Sequence, residues 1–148
     1  MAPIVASTEI SRSPDDVFAY LTDASHLPDW QESVVGVEGH PAGPVADTAT
    51  CVVTRRVGPR NMKMAVEIGN LDPPRSFTVR GLDGPVRGNV KTTVDPLDDD
   101  KRSRVTIELD LQGHGIGKVI VPIVARRQAQ KELPKNVQTL KGILERGA

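Results

Sequence analysis

Ala125-Arg126-Arg127-Gln128-Ala129-Gln130-Lys131-Glu132-Leu133 is the middle of the stretch that decides the fold. After it, Leu133, Val137, Leu140 and Leu144 fall at i, i+4, i+7 and i+11, the spacing of one helical face. Before it, Ile116, Ile120 and Ile123 repeat that spacing. Stepping back from Leu133 at about 3.6 residues per turn puts Ala129, then Ala125 or Arg126, on the same face. The apolar stripe of a helix following Gly117 thus has large residues at both ends and small or polar ones between. Such a helix roofs a hollow, or it lies on the surface with a poorly buried middle, cut by Pro134. The spacing allows both. The stretch opens after a glycine-broken loop, Gln112-Gly113-His114-Gly115-Ile116-Gly117.

The chain before that loop supplies what the helix covers. Ile4 to Ile10 reads as a first strand. Ser13-Pro14-Asp15-Asp16 starts a helix: Ser13 caps, Pro14 suits the first position, and Asp16 can complete a capping box. That helix stops near Asp23, and Ser25-His26-Leu27-Pro28-Asp29-Trp30 forms a second short turn. From there to Gln112 the text is strands and turns. Strands are expected at Ser33–Val37, Thr48–Val57, Met62–Ile68, from Phe77 and Val79, at Val86–Val94 and around Val105–Leu111. Turns are expected at Gly58-Pro59-Arg60-Asn61, Asp72-Pro73-Pro74-Arg75 and Asp98-Asp99-Asp100-Lys101. One-sided alternation implies an antiparallel sheet with one wet face. The last helix is long enough to cover the dry one, since 27 helical residues span roughly 40 Å. The expectation is an α+β fold, a curved seven-stranded antiparallel sheet wrapped around a long C-terminal helix.

Composition narrows the function classes. The 148 residues suggest one domain, 1–148. Nineteen Lys and Arg balance nineteen Asp and Glu, so no overall pull towards nucleic acid or anionic membrane is expected. One Trp, one Tyr and two Phe are too few for a base-stacking platform. Cys51 is the sole cysteine, which excludes an intramolecular disulfide and a cysteine-based metal site. His26, His40 and His114 stand apart without zinc-ligand spacing. No metal and no cofactor is called for. The first residues lack the marks of a signal peptide, and no apolar run approaches a membrane span. A soluble, cytoplasmic protein without stable membrane insertion is expected; the oligomeric state is left open.

Taken in order, several motifs resemble the START-like superfamily, also called SRPBCC, with the helix-grip fold of the birch pollen allergen. They are the N-terminal strand, Ser13-Pro14-Asp15-Asp16-Val17-Phe18, Leu21-Thr22-Asp23 and Pro28-Asp29-Trp30. Leu71-Asp72-Pro73-Pro74-Arg75, Ser103-Arg104-Val105-Thr106 and Leu140-Lys141-Gly142-Ile143-Leu144-Glu145 follow. The branch it looks most like is the bacterial polyketide cyclase/dehydrase one. Caps, turns and core packing explain every one of these motifs, so they speak for the fold and not for a reaction. The resemblance implies a deep, mostly apolar cavity between sheet and helix, taking lipids, polyketides or other hydrophobic molecules. Some members are cyclases or aromatases, some carriers, some resistance or sensing proteins.

The expected function is binding of a hydrophobic small molecule, lipid- or polyketide-like, in that cavity. One alternative is a polyketide cyclase, aromatase or dehydratase acting mainly by substrate orientation. Another is a non-catalytic resistance, sensing or interaction module. The expected lining is Trp30, Met64, Val90, Ile107, Leu109, Ile120, Val124, Ala125 and Ala129. Trp30 can equally anchor the core, and Met64 can be ordinary core. If the protein is an enzyme, His114, where the last strand meets the helix, is the candidate acid or base. Arg126 or Arg127 is the candidate cation for a carboxylate or enolate. A solvated role for each is the alternative. Cys51 reads as a small buried hydrophobe with Arg55 as its nearest basic neighbour.

Overall fold

Alternating residues become strands, and the stretch around Ala125 becomes a helix. The computed structural model describes residues 3–39, 46–83, 86–113 and 120–147. Strand β1 (Ile4–Ile10) leads to helix α1 (Pro14–Leu21), a 3₁₀ turn (Ala24–His26) and the short α2 (Leu27–Trp30). Strands β2 (Val34–Glu38), β3 (Thr50–Val57), β4 (Arg60–Asp72), β5 (Ser76–Gly81), β6 (Val86–Leu97) and β7 (Arg102–Gly113) follow. Helix α3 (Ile120–Glu145) closes the chain. The strands form one curled antiparallel sheet in the order β1-β7-β6-β5-β4-β3-β2, gripping α3 as expected. The loop holding His114 lies outside the described residues.

Local chemistry explains the boundaries. Ser13 Oγ accepts from Asp16 N at 3.2 Å, and Asp23 Oδ1 caps the 3₁₀ turn by accepting from Ser25 N at 3.0 Å. The Asp16 carboxylate is also held by Arg12, at 3.1 Å. Val57 and Arg60 flank a two-residue hairpin whose first centre, Gly58, has φ +60°, a conformation that suits glycine. Strand β4 outruns the expected Met62–Ile68 because a register shift between Gly69 and Asp72 lets pairing resume beyond the irregularity. Pro134 does not cut α3. It removes one ladder bond, and its ring and the Gln130 it leaves unbonded both lie on the exposed side.

The dry face of the sheet is divided. At one end Leu133, Val137, Leu140 and Leu144 of α3 pack with Ile10, Val17, Phe18, Leu21, Val94 and Val105 in a continuous core. Phe18 meets Phe77 edge to face at 5.6 Å, bringing α1 onto β5. The corner between β1 and α1 fastens the end of α3. Arg12 Nη1 donates to the Leu144 carbonyl at 2.7 Å, and Lys141 Nζ donates to the Glu9 carbonyl at 2.6 Å. Ser11 N donates to Glu145 Oε2 at 2.9 Å, and the buried Ser103 hydroxyl donates to the Arg12 carbonyl at 2.8 Å. A cation on the last carbonyls also suits the negative end of the helix dipole. The front of the helix differs from the expected stripe: Ile123 is 43% exposed.

Two outcomes follow. Leu140 is fully buried, so Leu140→Ala should lower unfolding free energy by about 2–5 kcal/mol in a denaturant titration. The Ser11 amide, then Lys141, hold the Glu145 carboxyl below its ordinary range. A depressed folded-state pKa contributes stability above the unfolded value and loses it as pH falls through the folded one. Glu145→Gln should therefore flatten the acid limb of the melting-temperature profile and leave the neutral-pH slope unchanged.

Candidate functional site

The other end of the dry face is hollow. Inward residues of β3 to β7 follow the period of two: Cys51, Val53, Arg55 and Val57; Met64, Val66 and Ile68; Phe77, Val79 and Gly81; Gly88, Val90 and Thr92; Ile107, Leu109 and Leu111. Register joins them into rows across the sheet, one of which runs Ile68, Val79, Val90, Leu109. Ala125, Gln128, Ala129, Glu132, Leu133 and Asn136 of α3 form the roof, and residues from Leu21 to Ser33, Trp30 among them, close the side. The cavity volume is about 240 Å³. It exists because α3 offers alanines where its C-terminal half offers leucines. On the floor, Gly88 leaves room that a Cβ would contest, 3.3 Å from Leu109 Cδ1 and 3.4 Å from Leu111 Cδ2.

Polar groups enter this apolar wall at defined places. Arg55 sits on the inward phase of β3 and donates from Nη1 to Ser33 Oγ at 2.8 Å and from Nη2 to Gln31 Oε1 at 2.7 Å. Both partners are neutral. Arg55 is partly buried and lines the hollow. Burial pushes its pKa down, and the Glu132 carboxylate on the roof pulls it back up. An arginine keeps its charge in such a setting. The charge therefore faces the cavity with donors to spare. Trp30 is 5% exposed, and its indole N–H has no partner among the described residues. Asp23, by contrast, is engaged in capping Ser25.

Gln128 ties the roof to the wall. Its Oε1 accepts from Gly58 N at 2.9 Å and its Nε2 donates to the Arg56 carbonyl at 2.6 Å. Asn136, one turn beyond Glu132 and Leu133, accepts from Glu32 N at 3.2 Å. The two amides hold the two ends of the roof, so the small residues between them need not pack to keep it in place.

Of the residues expected at the site, Trp30, Met64, Val90, Ile107, Leu109, Ala125 and Ala129 line the cavity. Val124 does not: it is 42% exposed, on the far side of the helix phase set by Ala125, Gln128 and Ala129. Arg127 is exposed and Arg126 half-buried, and neither is among the lining residues, for the same reason. The structure does not bring them to the cavity as its cation. His114 and the Ile120 side chain fall outside the described residues. Arg55 and Glu132 line the cavity, though neither was a candidate site residue from the sequence. Arg55 is signalled by its phase, since Cys51, Val53 and Val57 alternate with it, and Glu132 by standing three residues after Ala129 on one helical face. Among the described residues, no group of His, Cys, Asp and Glu is placed to hold a metal ion. No helix among them is long and apolar enough to cross a membrane.

A family model described as polyketide cyclase / dehydrase and lipid transport matches residues 1–145. No curated protein matches the chain. Among solved structures, a START superfamily protein from Mycobacterium smegmatis is similar over 100% of both chains, with TM-score 0.78 and 12% identity. A protein from Thermus thermophilus is similar over 99% of both, with TM-score 0.77 and 13% identity. The Zhui aromatase/cyclase from Streptomyces sp. R1128 is similar over 97% of this chain and 93% of its own, with TM-score 0.73 and 18% identity. At these identities the likeness is one of fold.

Cys51 reports on the cavity wall, where burial pushes its thiol pKa up. Its alkylation by iodoacetamide should rise with pH through a midpoint above that of the urea-unfolded chain. A raised folded-state pKa contributes stability below the unfolded value and loses it as pH rises through the folded one. Cys51→Ser should accordingly flatten the alkaline limb of thermal stability. A folded midpoint at or below the unfolded one would contradict the placement.

Proposed function

The chain belongs to the polyketide cyclase / dehydrase and lipid transport family, and on that premise we propose that it binds a hydrophobic small molecule, lipid- or polyketide-like, in the cavity between the sheet and α3. The reading takes residues 1–148 as one domain in a cytoplasmic setting. The observation that carries it is the character of the wall: aliphatic across five strands, with Arg55 set into it on two neutral partners. An apolar wall with a few convergent polar groups is the usual make-up of a small-molecule site. A cation kept in low dielectric by hydrogen bonds favours a ligand with a carboxylate, phenolate or enolate oxygen at that end. The rest of the ligand is held by area alone, at about 25 cal/mol per Å² of apolar surface removed from water.

A second reading is a cyclase, aromatase or dehydratase, and the pairing of Arg55 with Glu132 in one apolar space favours it. Orientation of a flexible chain by a fitted wall supplies the larger share of such catalysis. Arg55 would steady an enolate oxygen, and Glu132 would move the proton. In this reading Arg55 stands in for Arg126 or Arg127 as the cation, while His114 lies outside the described residues.

Calorimetric titration of a long-chain fatty acid, its methyl ester and a polycyclic phenol tests the binding reading. Arg55→Met should weaken the acid and the phenol at least about tenfold, as expected for lost hydrogen bonds to a charged group. The ester should be unaffected. Equal weakening of acid and ester, or no binding of any of the three to the unaltered protein, would sink the reading.

A further inference from the structure

Two segments meet where the cavity ends beneath the first described turns of α3. One is the β3–β4 hairpin, Arg56 to Lys63; the other is residues 123–131 of the helix. Gln128 joins them through Gly58 N and the Arg56 carbonyl. Val124 lies over the hairpin, its Cγ1 3.6 Å from where a Cβ on Gly58 would stand. Val57 from the wall and Ala125 and Gln128 from the roof line the cavity. On the outside, Ile123 and Val124 are 43% and 42% exposed, an apolar pair without cover among the described residues.

The charged residues of these two segments are of one sign. Arg56, Arg60, Arg127 and Lys131 are all exposed, and no ion pair among the described residues engages them. Lys63 is exposed too but reaches Glu38 at 3.5 Å. Residues 55–66 and 123–131 contain no Asp or Glu. In a chain whose nineteen basic and nineteen acidic residues cancel, this is segregation of charge onto one corner. Two exposed aliphatic side chains among arginines complement a surface that is anionic outside and apolar just beneath. An acidic protein would match the cations but leaves the aliphatic pair without a stated partner.

We propose that this corner docks on anionic phospholipid bilayers, with Ile123 and Val124 entering the headgroup region and the cavity's end held against the surface. The purpose of such docking rests on the proposed reading of the cavity, because a molecule suited to an aliphatic wall partitions into bilayers. The docking itself does not depend on it. Attachment is peripheral and weakens with salt, as screening of surface cations requires.

Flotation of the full chain with phosphatidylcholine vesicles, with and without phosphatidylglycerol, tests this. Binding is expected with phosphatidylglycerol at low salt and is lost at high salt. Arg60→Glu with Arg127→Glu should lower the partition coefficient at least about tenfold, and Ile123→Ser with Val124→Ser should also lower it. Both pairs should keep the melting temperature, and both should keep fatty-acid affinity in vesicle-free solution. That last measurement separates failure of docking from failure of the cavity reading. No flotation with anionic vesicles, or flotation indifferent to the charge reversal, overturns the proposal. So does capture of an acidic protein without vesicle binding, or a dimer in sedimentation that the Ile123 and Val124 changes abolish.

Discussion

The attachment of the last turns of α3 to the corner after β1 is the constraint on which the rest depends. A helix of 26 residues is about 39 Å long. Four leucine and valine side chains bury its C-terminal half, and Arg12, Ser11 and Lys141 fasten its final carbonyls and side chains to the β1–α1 corner. Because cohesion is concentrated there, the other half of the helix is released from the task of packing. A core that relied evenly on the whole helix would have to fill the space that here stays open, since interiors pack to crystal-like density.

The division of labour explains how polar groups sit inside. Arg55 is desolvated, and an unpaired charge in a filled aliphatic core would be strongly destabilising. Gln31 and Ser33, from the chain just after α2, answer it with two short hydrogen bonds. Glu132, which lines the same space, adds an opposite charge. The guanidinium is thus held in position yet left with donors facing inward. That arrangement suits a group meant to meet something that is not part of the protein.

Much of the fold was legible in the sequence because it rests on periods and caps. The alternation in Val86–Val94 and Val105–Leu111 named the inward residues of β6 and β7, and Ser13-Pro14 placed α1. The helix face was legible from Leu133 onward and also in the alanine gap before it. The site was less so. Strand phase was applied to aliphatic positions but not carried through to Arg55, which was read only as the basic neighbour of Cys51. Arg126 and Arg127 drew attention for their charge, whereas the helix phase assigned the inward polar place to Glu132. Val124 and Ile123 show the same limit from the other side. A stripe extrapolated from the packed end of a helix does not hold where the helix has no sheet side chain to meet.

Gly88 has a consequence for how proteins of this design diverge. It lies on the cavity floor, where added atoms would press on the ends of Leu109 and Leu111. It is remote from the fastened end of α3. A side chain at 88 takes space from the hollow by its own volume and by displacing two flexible neighbours, while the core around Leu140 is untouched. Capacity and foldedness are therefore separately heritable here. A substitution at 88 narrows what the hollow accommodates at a distance from the core that holds α3.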